Sequence, residues 1–102
     1  MQSHFVSANS LLICRKLGRD IETARLKRRW TREQLAQRGN MSIATLAKII
    51  AGDPGVSFGR YVQILVVLGA RSRLEQLIAE DKDDIALSIE RANLPKRIKR
   101  NA

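Results

Sequence analysis

Along the first half of the chain, apolar residues recur at spacings of three and four, the period of a helix with one buried side. Ile13, Leu17, Ile21 and Ala24 trace such a stripe and predict a first helix from about Ser10 to Arg29. Lys27, Arg28 and Arg29 close it, where positive charge suits the helix dipole, and Trp30 is expected to plug the core at the junction. Thr31-Arg32-Glu33-Gln34 then has the form of a capping box: the Thr31 hydroxyl accepts from the Gln34 amide, and the Gln34 side chain returns to the Thr31 amide. It predicts a second helix through about Arg38 that buries Leu35 and Ala36. Gly39 and Asn40 both tolerate positive φ, so the chain is expected to turn sharply there. Ser42 caps a third helix, which Gly52 stops and Pro54 keeps from resuming. Ser57 opens a fourth, to about Leu68, and Gly69 ends it; a fifth covers roughly Ser72 to Ala79. A sixth is expected over Asp84 to Asn93, before Pro95 and the basic end "KRIKR". The pattern is all-α, with five to six helices. It divides into a flexible N-terminus (1–9), a helical domain (10–80), and a C-terminal helix with a basic tail (81–102).

The fourth helix carries more apolar residues than one face can hold. Phe58, Tyr61, Val62, Leu65 and Leu68 fill one side at helical spacing, whereas Ile64 and Val67 lie on another. A helix apolar nearly all round is covered on more than one side. Ile64 and Val67 are therefore expected to meet a second copy of the chain or another partner. The alternative is internal cover by Leu74, Leu77, Ile78, Ile85 and Leu87 of the later helices.

Composition narrows the class. In 102 residues there is room for one core, and the scarcity of aromatics beside abundant Leu, Ile, Val and Ala suits packed helices. The longest apolar run, Ile64 to Leu68, is far short of a membrane span. The first residues lack a basic region and a small-residue cleavage site, so no signal peptide is read there. Cys14, a lone cysteine, fits a reduced cytoplasm.

Charge adds a direction. Residues 1–52 hold ten Lys and Arg against three acids, residues 53–92 hold five against seven, and residues 93–102 hold four against none. The net +9 is thus concentrated in the first half and the tail, which suggests one face for a polyanion and another for something else. The plainer alternative is that these residues only solvate helices, although a smaller excess would serve solubility equally well.

Candidate reaction chemistry is thin. His4 has no Cys or carboxylate at metal spacing, and Cys14 has no basic partner beyond Arg15 and Lys16. Asp81, Asp83 and Asp84 lack the Gly and Glu of a calcium loop, and no Lys follows Gly52, Gly55 and Gly59 as in a phosphate loop. No enzyme, metal or cofactor is expected.

What remains is the pair of short helices from Arg32 to Ala51, joined by a three- to four-residue turn with Gly. In a helix-turn-helix the first helix crosses the phosphate backbone and the second enters the major groove. "LGRDIETARLKRRWTREQLAQRGNMSIATLAKIIAGDPGVSFGRYVQILVVLG", Leu17 to Gly69, resembles the Xre/lambda-repressor-like helix-turn-helix family in the "LA" pair, the turn, Ser42, Leu46, Ile49 and Gly52. "GDPGVSFGRYVQILVVLG", "RLEQL" and "LPKRIKR" are similar to HipB-like antitoxins. The first resemblance implies a lambda-repressor-like domain that binds double-stranded DNA and regulates transcription. The second implies a homodimeric autorepressor on a palindromic operator, paired with a Hip-type kinase toxin. A stand-alone repressor and a module that chiefly holds another protein stay open beside it. An RNA-binding role is disfavoured by the lack of stacking aromatics beyond Phe5, Trp30, Phe58 and Tyr61.

The resemblance transfers residue by residue. The base-reading positions fall on Ile43, Ala44, Ala47 and Lys48. Of these only Lys48 can donate to a base edge, while Ile43 and Ala44 can pack on thymine methyls or be covered by a partner protein. Arg32 stands where the family usually has Gln, and can contact phosphate with a charge. Ser42, Thr45, Arg28, Arg60 and the amides near Gly55 complete the expected backbone contacts. The family commonly pairs an arginine of the first helix with a Glu near the end of the recognition helix. Here Arg25 is present but Ile50 stands at the Glu position, so Arg25 is expected to find other acceptors.

Overall fold

A computed structural model describes residues 6–79. The chain divides into two units, 1–70 and 71–102. In the first, α1 (Ala8–Lys27), α2 (Arg32–Arg38), α3 (Ile43–Ile50) and α4 (Phe58–Val67) enclose one core. In the second, α5 (Arg71–Glu75) carries an Arg71–Glu75 ion pair of 3.5 Å. Bonds of Gln76 N–H to the Arg73 carbonyl and Leu77 N–H to the Leu74 carbonyl replace the α-helical pattern after Glu75, so α5 is shorter than the expected Ser72–Ala79. The expected sixth helix and the basic tail lie outside the described residues. Among the described residues there is no strand.

Hydroxyl caps start the four helices of the first unit. Ser7, Thr31, Ser42 and Ser57 accept from the amides of Ser10, Gln34, Thr45 and Arg60, and Thr31 with Gln34 forms the full reciprocal box. One device also ends all four. The residue after each C-cap takes positive φ (Arg29, Asn40, Gly52, Gly69), and the amide beyond it bonds the carbonyl five residues back. α1 therefore begins two residues before the expected start, where Ser7 supplies the cap. It ends at Lys27, because Arg29 at φ 57° has already left the helix. At the α2–α3 turn only Asn40 has positive φ. Gly39 serves a different need: a Cβ there would lie 2.5 Å from the Ile64 methyl beneath it.

The core holds Ile21, Leu35, Ala36, Leu46, Ile49, Tyr61, Ile64 and Leu68, with Leu17, Ala24, Trp30, Met41, Ile50, Val56, Leu65 and Val67 packed around it. Three expectations are corrected. Ile13 is 68% exposed and does not belong to the α1 stripe. The inward line passes instead through Gly18, whose missing Cβ lets α1 lie against the Ile49 and Ile50 carbonyls of α3. Ile64 is fully buried in the chain's own core and offers no surface to a partner. The inward face of α4 is Tyr61, Ile64 and Leu68, with Val67 half-buried beside it, whereas Phe58 is 70% exposed in the first turn, off the core.

These close approaches rank the glycines. Gly18→Ala and Gly52→Ala drive a Cβ into backbone atoms, Ile50 O for the first and Arg15 Cα at 2.6 Å for the second, and should each cost about 3 kcal/mol. Gly69→Ala has open space and only its φ of 88° to oppose it, about 1 kcal/mol. Gly59→Ala, in open helix, should gain about 0.5 kcal/mol, and Arg29→Gly about 1 kcal/mol by relieving its left-handed backbone. Urea denaturation of the five variants checks both order and sign.

Candidate nucleic-acid interface

α2 and α3 owe their mutual placement to the turn between them, and α4 holds that turn. Ile64 supports Gly39 from below, Gln63 Nε2 donates to the Gly39 carbonyl at 2.9 Å, and an Arg60 Nη donates to the Asn40 carbonyl at 3.3 Å. Leu46 and Ile49 anchor α3 in the core. Because residues three and four apart share a helix face, this anchoring turns Ile43, Ala44 and Lys48 outward together, with Ala47 half-buried between them. The three residues expected to read bases thus form one exposed face. The Ser42 hydroxyl donates to Thr45 Oγ1 at 3.0 Å while capping α3, so this hydroxyl pair sits at the amino end of that face.

The loop behind α3 is fixed by Tyr61. Its hydroxyl donates to the Asp53 carbonyl at 2.7 Å, and burial pushes its pKa up to about 12. Asp53 in turn accepts from the Gly55 amide at 2.7 Å. The Gly55 amide, an expected phosphate donor, is therefore already engaged within its own loop.

The arginines divide by use. Arg28 donates to the Ala24 carbonyl and to the Leu68 carbonyl, both at 2.9 Å, and so ties the end of α1 to the end of α4. Arg28 is itself exposed, and this tie uses two of its five N–H donors. Trp30 lies under the Arg38 guanidinium at 4.3 Å from the ring centre, with Arg28 at 5.8 Å. Arg60 remains exposed, with one donor on the turn.

Arg25 finds the acceptors its sequence context left open. Its Nε and Nη2 reach the two Glu22 carboxylate oxygens at 2.7 and 3.0 Å, and Nη1 reaches the Trp30 carbonyl at 2.6 Å. Arg32 Nη2 joins the same carboxylate at 3.0 Å. Hydrogen bonding from Arg25 holds the Glu22 pKa below its usual value, against the opposing effect of burial, and the same pair raises that of Arg25. Glu22 was missed in the sequence. Its i,i+3 relation to Arg25 was a readable signal, but the link to Arg32, ten residues on, needed the fold.

The helix-turn-helix domain family matches residues 16–77, more than half of the chain. The chain belongs to this family, and its defining two-helix unit is a DNA-binding device. No curated protein and no solved structure matches it. Among the described residues no helix is long and apolar enough to cross a membrane.

A group with depressed folded pKa adds stability above its unfolded pKa and loses it as pH falls through the folded value. Glu22→Gln should accordingly lower stability by about 1–3 kcal/mol at neutral pH, because Arg25 loses its carboxylate in a half-buried site. The difference between native protein and variant should shrink as pH falls below 4.5, the unfolded value, and through the lower folded one. Chemical denaturation between pH 7 and pH 2.5 measures it.

Proposed function

We propose that the protein is a transcriptional regulator that binds a palindromic operator in double-stranded DNA as a homodimer and represses its own operon. The observation that carries this reading is the outward α3 face of Ile43, Ala44 and Lys48, set on a chain whose first half is strongly basic. Lys48 donates to a base edge, guanine O6 or N7 being the natural acceptor, and Ile43 and Ala44 pack on thymine methyls. Arg32, Arg60, Ser42 and Thr45 supply the phosphate contacts that set register and most of the affinity.

One eight-residue recognition helix reads too few bases to define an operator. Two copies placing their α3 helices about 34 Å apart would read both halves of a two-fold site. Ile64 takes no part in that pairing, being buried. Val67 is half-buried, and Phe58 and Val66 are the exposed apolar residues of α4. A further role as the antitoxin of a Hip-type kinase is supported by the sequence similarity over Gly52 to Gly69 and the tail. Exposed Leu12, Ile13 and Phe58 are apolar surface available to a protein partner.

In binding assays with DNA from upstream of its own gene, Lys48→Ala should lose about 1–3 kcal/mol of preference for that site over random duplex. Arg32→Ala should weaken both duplexes alike; equal losses on both from Lys48→Ala would remove its reading role. Sedimentation velocity should show the mass of a dimer, with or without the duplex. Affinity capture from native cells should recover a kinase with the chain, and recovery of the chain alone under mild conditions would count strongly against the antitoxin role.

A further inference from the structure

Glu22 sits where two arginines from different helices converge. Arg25 occupies both carboxylate oxygens and is only 12% exposed, so it is the fixed member of the cluster. Arg32, at the first position of α2, shares one oxygen through a single Nη and is 43% exposed. One carboxylate against two guanidiniums leaves the cluster with a net single positive charge, and the exposed end of it is Arg32. A guanidinium has five N–H donors. The Glu22 bond employs one of them, and the remainder stay available to an incoming anion.

We propose that Glu22 is a positioning residue for DNA binding: with its charge matched by Arg25, it holds the Arg32 guanidinium ready for a backbone phosphate without cancelling its charge. The inference rests on the reading of α2 and α3 as a duplex-binding unit. A free arginine side chain loses rotamer entropy when it is immobilised. A guanidinium already held by Glu22 has lost part of that freedom on folding, so less is lost on binding phosphate. Competition is the opposite possibility, in which the carboxylate withholds Arg32 from DNA. The two differ in sign. Glu22→Gln removes one negative charge from a DNA-binding face, so competition and simple electrostatics both predict tighter binding, whereas positioning predicts weaker binding.

The test is a double-mutant cycle on a 30-bp duplex of random sequence, because phosphate contacts do not need an operator. Affinities of the native chain, Glu22→Gln, Arg32→Ala and the double variant are measured across a salt titration, with thermal melts to establish that each is folded at the assay temperature. Arg32→Ala in the native background should weaken binding roughly five- to tenfold and lower the salt slope by about 0.9, one phosphate contact. Glu22→Gln alone should weaken binding about threefold, and Arg32→Ala added to it should cost about twofold or less. In the Arg32→Ala background Glu22→Gln should leave affinity unchanged or slightly raised, an outcome that a merely structural role would not give. Tighter binding by Glu22→Gln, or an Arg32→Ala loss of the same size in both backgrounds, overturns the proposal alone. A native chain with no salt-dependent affinity for the duplex overturns the DNA-binding reading and this proposal together.

Discussion

The close passage of α1 across the carboxyl end of α3 is the constraint on which the rest of this domain depends. Two residues without side chains make it possible, one on α1 and one just beyond α3. Gly18 faces the Ile49 and Ile50 carbonyls, and Gly52 faces the backbone of Cys14 and Arg15. With α3 held at that end, Leu46 and Ile49 have to point inward, and Ile43, Ala44 and Lys48 have to point away. The amino end of α3 is set by a second close approach, in which Ile64 of α4 rises under Gly39. The outward face is therefore positioned by packing behind it, and its own side chains are free of any structural duty.

Local chemistry was legible in the sequence to within a residue or two. The caps at Thr31, Ser42 and Ser57, the box with Gln34, and the stops at Gly52 and Gly69 involve neighbours in the chain, and the residue types alone specify them. Long-range choices were less legible. Ile13 fits the helical period as well as any core residue, and only the line of approach of α3 shows that the buried face passes through Gly18. Ile64 was assigned outward because α4 has apolar residues on nearly every side, and periodicity cannot rank faces in such a helix. Gly39, opposite it in the α2–α3 turn, was the missing half of that contact. Among the candidate DNA-contacting residues, the α3 positions were readable from helical phase. The engagement of Arg28 and the Gly55 amide inside the protein depends on how the folded chain arranges their acceptors, which spacing does not encode.

Several of the guanidiniums of the basic first half already have partners inside the protein. Arg25, Arg28 and Arg38 serve a carboxylate, two carbonyls and an indole ring. Guanidinium suits such work because its several donors and flat face can satisfy different partners at once. The arginines expected at phosphate, Arg28, Arg32 and Arg60, are all exposed, Arg28 tethered to the protein at two points and the other two at one each. The basic first half thus commits several donors to structure, while every Lys and Arg in it except Arg25 stays exposed with its charge at the surface.

The repeated way in which the four helices end bears on how the chain reaches this state. Each boundary is set by a hydroxyl cap and a left-handed residue whose hydrogen bonds span no more than five positions. Such bonds close small loops, with little entropy lost before they form. The helix boundaries are therefore encoded locally, while helices as short as α2, α3 and α4 become stable only as they dock on one another. Folding on the microsecond-to-millisecond scale typical of helical domains is expected from contacts so local in the chain.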